Sequence, residues 1–554
     1  MSNEKDESRK KAQLLPGEGA LRQAIAALYS AKSIVPGRSN MYALKIADAW
    51  HMLNALEVLQ EKVEGLFNIA QANDLPMDMT KKELVELGRQ IAKAAIEKAI
   101  LLPSAGYQAF ELGGARYEVV VWRGEAHWIG DEPAVPVVVD SSVRVDLPPA
   151  KGSRKKWHSE LGVHMLDNPT MLVALGAALS ALLVGPVGIQ PLMLMLVGPS
   201  SSGKTSIQQA VQSIIRPGAV KSASGTVLGL HQWMSHQPDQ PVFLQETRQV
   251  TNSAELINLV FDHGNGGSRS VGNAAQRGTE GQALRCVLVA SNEQTLAELV
   301  RRKSVVLDAG VDARLFELVT DGAHGAFEKL PSGMTAAAFA HHLTEASQNA
   351  YGAVWNKWVE VVVENCAEIR EKAATLIPVA REKLLEQVKV NDPVFNRMLN
   401  GYAGWLFALT MAAKYGVFPV ENVQIRDAFY AVLKAHSKRY ASGFTPIDRA
   451  VIEAVRAAID ENPGRFTALN ERGQTKGGAW GYTHKINDES LYLVFGSTLS
   501  KLASSHTDRE ILDALVGADY LKHNKGELML SVRVPNEKQS KRFYAIRERI
   551  CFDG

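Results

Sequence analysis

Gly198-Pro-Ser-Ser-Ser-Gly-Lys-Thr205 follows directly on the apolar run Leu192–Val197 and is followed by Ser206–Ile215, which ends at Arg216-Pro-Gly218. The apolar run has the length of a short buried strand, and Ser206–Ile215 has the pattern of a helix. Strand, glycine loop, Lys-Thr and helix in that order predict a phosphate-binding loop rather than an ordinary Gly/Ser turn. Gly198 and Gly203 let the backbone curl until its N–H groups converge on phosphate oxygens. The helix N-terminus adds partial positive charge. Lys204 is expected to reach the β- and γ-phosphates and Thr205 to hold Mg²⁺ through its hydroxyl, with Pro199, Ser200, Ser201, Ser202 and Ser206 completing the contacts.

A phosphate loop of this kind needs an acidic group on a second strand. Pro241-Val-Phe-Leu-Gln-Glu246 supplies the candidate, with Val242–Leu244 as strand and Glu246 as the group that acts on water. Gln245 stands where an Asp would hold Mg²⁺ through water, so the metal set read here is Thr205, Gln245 and Glu246, with less electrostatic help than an acid gives. The plain alternative is that Glu246 ends a strand. Ala283–Ala290 predicts the next buried strand, and Asn292 at its end would sense the γ-phosphate or simply form a turn. Between these strands, Asp262–Gly272 and Gln276-Arg277-Gly278 are Gly-rich and basic. A ring-shaped motor would turn such an insert into its pore, where Arg269 and Arg277 hold DNA phosphates; a surface loop fits the same residues. Arg314 precedes another apolar stretch and either completes a neighbouring subunit's site or forms a salt bridge within its own.

Around this core the pattern divides the chain into five. Residues 1–102 read as a helical region, with Leu44, Ile46, Leu53, Leu56, Leu59, Val63 and Phe67 at helical spacing within Tyr42–Phe67 and Thr80 as an N-cap. Residues 103–156 read as a small β region with a hairpin at Arg123-Gly124, strands over Val135–Val139 and Val143–Leu147, and a basic linker, Pro148–Lys156. Residues 157–330 form the nucleotide-binding core. Residues 331–444 are helical, with Pro378, Pro393 and Pro419 at breaks. Residues 445–554 read as helices at Ile447–Ile459, Leu491–Leu502 and Thr507–Val516, then short strands around a turn at Asn524-Lys525-Gly526, the order of a winged helix. Lys525 and Thr507–Val516 are the expected contacts to DNA or to a partner protein.

Composition constrains less. The net charge is +2, and Cys286, Cys366 and Cys551 are far apart with no zinc spacing. No apolar h-region opens the chain, and a cytoplasmic protein is expected. Thr170–Gly198 is nearly uncharged and long enough for a bilayer, but Gly185-Pro186 and Pro191 divide it, so a buried helix and strand are expected rather than a span.

Taken together, these residues resemble the helicase-like P-loop family of phages and mobile elements known as domain of unknown function 927. The likeness takes in Met171–Leu183, Gly198–Thr205, the Trp233 region, Phe261–Arg269, Ser291–Leu299, the Arg314 segment, Gly325-Ala-Phe-Glu-Lys-Leu330, Phe339–Val354 and the tail from Ile447 to Tyr544. It implies an α/β RecA/AAA+-like ATPase with a helical lid and C-terminal winged helix. It also implies ATP and Mg²⁺ as cofactors, single-stranded or forked DNA as partner, a hexameric ring, and contact with a primase or other replication protein in a bacterial or phage-infected cell. Family members carry Asp-Glu where this chain has Gln245-Glu246, which keeps open a nucleotide-dependent assembly switch, such as a helicase loader or defence ATPase. A small-molecule kinase is the third reading.

Overall fold

The computed structural model describes residues 17–34, 41–47, 49–54, 64–94, 98–140, 147–247, 253–267, 284–296, 309–320, 322–388, 390, 392–437, 446–469, 478–486, 489–504, 506–524, 527–535 and 539–552. The N-terminal region is not helical throughout, as its spacing had suggested. Strands β1 (Ile25–Ser33), β2 (Met41–Ile46), β3 (Ala49–Asn54), β4 (Lys98–Leu102) and, further on, Val137–Val139 make one sheet, in which β2 lies between β1 and β3 and β4 pairs parallel to β1. Leu44 and Ile46 are two residues apart, so a strand puts them on one face, and both are buried there. Helices α1 (Glu64–Ala72) and α2 (Lys81–Ala94) cover that face with Leu66, Leu84, Leu87 and Ile91. The expected cap is present: Thr80 N–H donates to the Glu83 carboxylate at 2.7 Å, and Glu83 N–H donates back to the Thr80 hydroxyl at 3.4 Å. Leu56, Leu59 and Val63 lie outside the described residues.

Three antiparallel strands follow, β5 (Gly106–Leu112), β6 (Ala115–Trp122) and β7 (Glu125–Ile129). Arg123 and Gly124 both take positive φ, 54° and 78°, as a two-residue hairpin turn requires. β8 is the short Val137–Val139; most of the further strand expected at 143–147 lies outside the described residues. The basic linker lies against the chain. Lys151 forms a two-way backbone bridge with Tyr351, and the Arg154 guanidinium donates to the Gly416 carbonyl at 2.6 Å.

The central layer is a five-stranded parallel sheet made of β9 (Met193–Val197), β10 (Lys221–Ser222), β11 (Pro241–Gln245), β12 (Val287–Asn292) and β13 (Leu315–Val319), in spatial order β10-β11-β12-β9-β13. Leu194, Leu196, Phe243, Val289 and Phe316 face one core, and Met193, Met195, Val242, Leu244 and Leu288 face the other. Burial on both faces explains why these strands read as unbroken apolar runs. Helix α3 (Pro169–Ser180), continued by short turns to Val187, is long and apolar enough to cross a bilayer, but 89% of its most apolar 18-residue stretch is buried inside the protein. Helix α4 (Lys204–Gln212) follows the glycine loop, and α5 (Val227–Ser235) and α6 (Ser253–Gly264) lie beyond it.

Helices α7 (Ala336–Asn349), α8 (Ala353–Glu364), α9 (Cys366–Val388), α10 (Pro393–Lys414) and α11 (Asn422–Ser437) share the core of the sheet, to which they contribute Trp355, Trp358, Trp405 and Phe429. Pro393 sits in the first turn of α10, capped by the Asp392 carboxylate, which accepts from Val394 N–H at 2.7 Å. Pro378 does not break a helix but lies inside α9, where buried Ile369 and Leu384 anchor both sides of it. After α12 (Pro446–Glu461) comes a sheet of β14 (Phe466–Ala468), β15 (Gly481–Ile486), β16 (Glu489–Phe495), β17 (Leu521–Lys522), β18 (Leu530–Val532) and β19 (Lys541–Arg547). The helix expected over Leu491–Leu502 is strand β16 followed by a 3-10 turn, because β16 is paired on both edges, with β15 and β19. Helix α13 (Asp508–Gly517) carries the expected capping box of Thr507 and Glu510.

Candidate functional site

The glycine loop is cradled at the carboxyl end of β9. Ser201 and Gly203 take positive φ, 61° and 97°, which turns successive N–H groups to one side. A Cβ on Gly203 would stand 2.6 Å from the Phe327 ring, and one on Gly198 would collide with the Thr320 hydroxyl. At these two positions there is room for backbone only, as a close phosphate approach demands. The buried Lys204 ammonium donates to the Gly198 carbonyl at 2.7 Å, the Pro199 carbonyl at 2.6 Å and the Ser202 hydroxyl at 3.2 Å. Burial holds its pKa below the ordinary lysine value, and the nearby Glu293 carboxylate works in the opposite direction. Pro199, Ser200, Ser201 and Thr205 are exposed, while Ser202 and Ser206 are half-buried.

Sequence reasoning passed over Gln208. Its buried amide donates to the Leu244 carbonyl at 2.9 Å and the Val289 carbonyl at 3.0 Å, which ties α4 to β11 and β12 at once. A glutamine one turn into the helix after the loop was the available signal. It also passed over Glu293, which follows Asn292 directly.

Strand register brings the other candidates alongside the loop. Asn292 pairs with Val197 and Leu244 pairs with Ala290, so the ends of β9, β12 and β11 lie side by side. Gly198 N–H donates to the Asn292 carbonyl at 3.2 Å. Glu246 is exposed at the end of β11, two strand spacings or about 10 Å from β9. Its φ of 55° is a left-handed conformation that a residue with a side chain adopts only when its surroundings enforce it. Half-buried Gln245 precedes it. Asn292 is buried, its amide donates to the Gln294 carbonyl at 2.8 Å, and its Oδ1 has no hydrogen-bond partner among the described residues.

Arg314 lies elsewhere. Its carbonyl accepts from Met193 N–H at 3.0 Å, at the start of β9. The length of that strand, about 16 Å, separates it from its own glycine loop. Its guanidinium donates to the Gly310 carbonyl and, at 2.6 Å, to Asn265 Oδ1, and lies 4.7 Å from the Phe261 ring centre. Arg269, Arg277 and Lys525 lie outside the described residues. The same amino end of the sheet holds a residue with no sequence signal, Asp239. Fully buried, it accepts from Tyr107 N–H at 2.7 Å and pairs with Arg285 at 3.0 Å, so β5 is fastened to the start of β11 and β12. Burial pushes its pKa up to about 6, against the opposing pull of Arg285.

Residues 127–283 match the family model described as domain of unknown function DUF927. That span includes the glycine loop and Glu246 and stops short of Asn292 and Arg314. No curated protein matches the chain. Among solved structures, an active helicase, Cch of SCCmec type IV, superposes with a TM-score of 0.65 at 13% identity, over 94% of this chain and 92% of that one. At that identity the likeness is one of fold. The NrS-1 C-terminal region also aligns, at 11% identity over 73% of this chain and 90% of that one, with a TM-score of 0.27. The mixed α/β architecture thus has a helicase-like neighbour across nearly its whole length.

Proposed function

We propose that this protein is an ATP-driven DNA helicase or translocase of a phage or mobile element, built on a RecA/AAA+-like core and working as a hexameric ring. One observation carries the reading: the glycine loop, Asn292 and Glu246 stand on three adjacent parallel strands whose ends are in register. The helicase fold of the Cch neighbour supports it. In this reading Lys204 and the loop N–H groups bind and orient the β- and γ-phosphates of ATP. Glu246 orients the attacking water and takes up its proton, and the Asn292 amide contacts the γ-phosphate. Bound Mg²⁺ would neutralise phosphate charge, held by Thr205 and, through water, by Gln245 and Glu246. Arg314, at the opposite end of the sheet and about a strand's length from its own loop, would act in a neighbour's site, a role that requires assembly.

The C-terminal unit supports a revised DNA contact. Exposed Asp508 and Asp513 lie on α13, and Arg509 on the same helix faces Asp513 at 3.7 Å. Exposed Arg533, Lys541 and Arg542 lie on the β18–β19 hairpin, with Ser531 opposite Arg542. Arg542 faces one acid there, Glu527 at 3.5 Å, but the hairpin still carries more basic than acidic side chains, so phosphate is drawn to it more than to α13. The hairpin, rather than the helix, is therefore the DNA-facing element of a winged-helix-like domain. Reversing Arg533, Lys541 and Arg542 to Glu is expected to weaken DNA binding about tenfold and to flatten its salt dependence, measured by fluorescence anisotropy across a salt series. Asp508→Asn with Asp513→Asn leaves it unchanged or tightens it.

The division into five regions, the cytoplasmic location and a primase or other replication partner belong to the same proposal. Gln245 keeps the second reading, an assembly switch that binds ATP with little turnover. ATP hydrolysis with and without single-stranded DNA decides between them. DNA-stimulated turnover in the wild type that disappears in Lys204→Ala supports the motor; tight ATP binding with negligible turnover in both conditions supports the switch.

A further inference from the structure

The segment Gly322–Glu328, directly after β13, has no part in the chemistry described above, although Gly325-Ala-Phe-Glu-Lys-Leu330 stood out in the sequence. It is fastened to the glycine loop. Ala326 N–H donates to the Ser202 carbonyl at 2.8 Å, and the Phe327 ring packs where Gly203 lacks a side chain. Gly325 holds φ 70°, and a Cβ there would run into the same Ser202 carbonyl. The other end is tied to α3: Glu328 accepts from Thr170 N–H at 3.0 Å, and Asn168 Oδ1 accepts from Glu328 N–H at 2.9 Å and Lys329 N–H at 3.0 Å. Gly322–Glu328 is thus a strap from the end of β13, across the loop, to the buried helix.

Beneath the strap is a cleft of about 380 Å³, walled by Thr170, Val319, Thr320, Ala323, His324 and Glu328 among others. Val319 is 46% exposed there, an apolar side chain presented at the carboxyl end of a strand. Thr320, which borders Gly198, connects the cleft to the phosphate loop. Ligands of parallel sheets sit outside the carboxyl ends of the strands, in pockets with an apolar floor and a few polar groups.

We infer that the strap Gly322–Glu328 is the base-and-ribose side of the nucleotide site, and that Gly325 and Phe327 are positioning residues that set the glycine loop. The inference rests on the nucleotide reading above and extends it to the part of the ligand that the loop does not touch. Val319 and Ala323 give the base a flat apolar support; Thr320, His324 and Glu328 supply hydrogen-bonding groups around it.

Two variants and two probes test this. Ala323→Trp fills the cleft from an exposed position, and Gly325→Ala presses on Ser202. Binding of ATP and of inorganic tripolyphosphate, which lacks base and ribose, is measured by calorimetry on the full chain. Ala323→Trp is expected to weaken ATP at least tenfold and leave tripolyphosphate unchanged, whereas Gly325→Ala weakens both. Wild-type ATP affinity in Ala323→Trp overturns the base assignment, and unchanged affinity for both probes in Gly325→Ala overturns the positioning role. Wild type that binds neither probe overturns the nucleotide reading itself, and this assignment with it.

Discussion

At the carboxyl end of the parallel sheet, Thr205 and Glu246 are exposed, Gly198 and Gly203 leave backbone bare, and the buried Asn292 oxygen has no partner among the described residues. At the amino end of the same sheet the charged side chains are paired within the chain. Asp239 is held by Tyr107 and Arg285, and Arg314 by Gly310 and Asn265. Both ends carry charge. They differ in where the polar groups lie, between packed segments at the amino end and on an exposed loop and strand end at the carboxyl end. Paired groups at the amino end hold β5 and α6 to the sheet, while exposed Thr205 and Glu246 and the buried Asn292 oxygen lie at the carboxyl end, where ligands of parallel sheets bind.

If that difference is functional, substitutions at the two ends fail in different assays. The largest effect is expected from Glu246→Gln, which keeps shape and hydrogen bonding but cannot take a proton. Steady-state hydrolysis should fall by roughly 10²–10⁴ while ATP affinity is retained. An equal loss of binding would make Glu246 a structural end of β11. Arg314→Ala sharpens the comparison from the other side. A role in trans predicts a turnover loss of roughly 10²-fold or more in the assembled protein. Mixing Arg314→Ala with Lys204→Ala chains should then restore part of the activity, because each supplies what the other lacks. A drop in melting temperature with turnover intact would leave Arg314 as a brace between β13 and α6.

The smallest effect concerns Asp239, and its sign follows from its raised pKa. In the unfolded chain this carboxyl titrates near the ordinary aspartate value of 3.8; in the folded protein it does so at about 6. The folded state therefore holds a proton that the unfolded state releases between these values, and stability is lost as pH rises from about 4 to about 6. The contribution is of order 3 kcal/mol over that window. Asp239→Asn cannot ionise, so its melting temperature should fall less than that of the wild type between pH 4 and pH 6. Parallel melting curves across that range would place the cost of ionisation elsewhere.

Several features were legible because neighbouring residues in the chain decide them. The loop Gly198–Thr205 is bounded by its own strand and helix, the turn at Arg123-Gly124 by its own hairpin, and the caps at Thr80 and Thr507 by acids three residues on. The positions of Glu246 and Asn292 beside the loop were legible because polar residues close otherwise apolar buried strands.

Other features required partners distant in sequence. β16 competes with a helix of similar apolar content, and its pairing with β19, Leu491 opposite Arg547, settles the contest. β1 shares that dependence, since it takes β4 as its parallel partner across some seventy residues that include α1 and α2, whereas β2 and β3 pair locally and their apolar residues happened also to fit a helical spacing. The placement of Arg314 at the amino end of the sheet, the burial of Asp239, the Gln208 amide bridging two strands and the strap over the glycine loop depend on strand order. Local patterns in sequence specify which segments are strands, loops and helices. Only packing specifies which of their polar groups become neighbours, because the hydrogen bonds and burial that distinguish them form between segments that no local period connects.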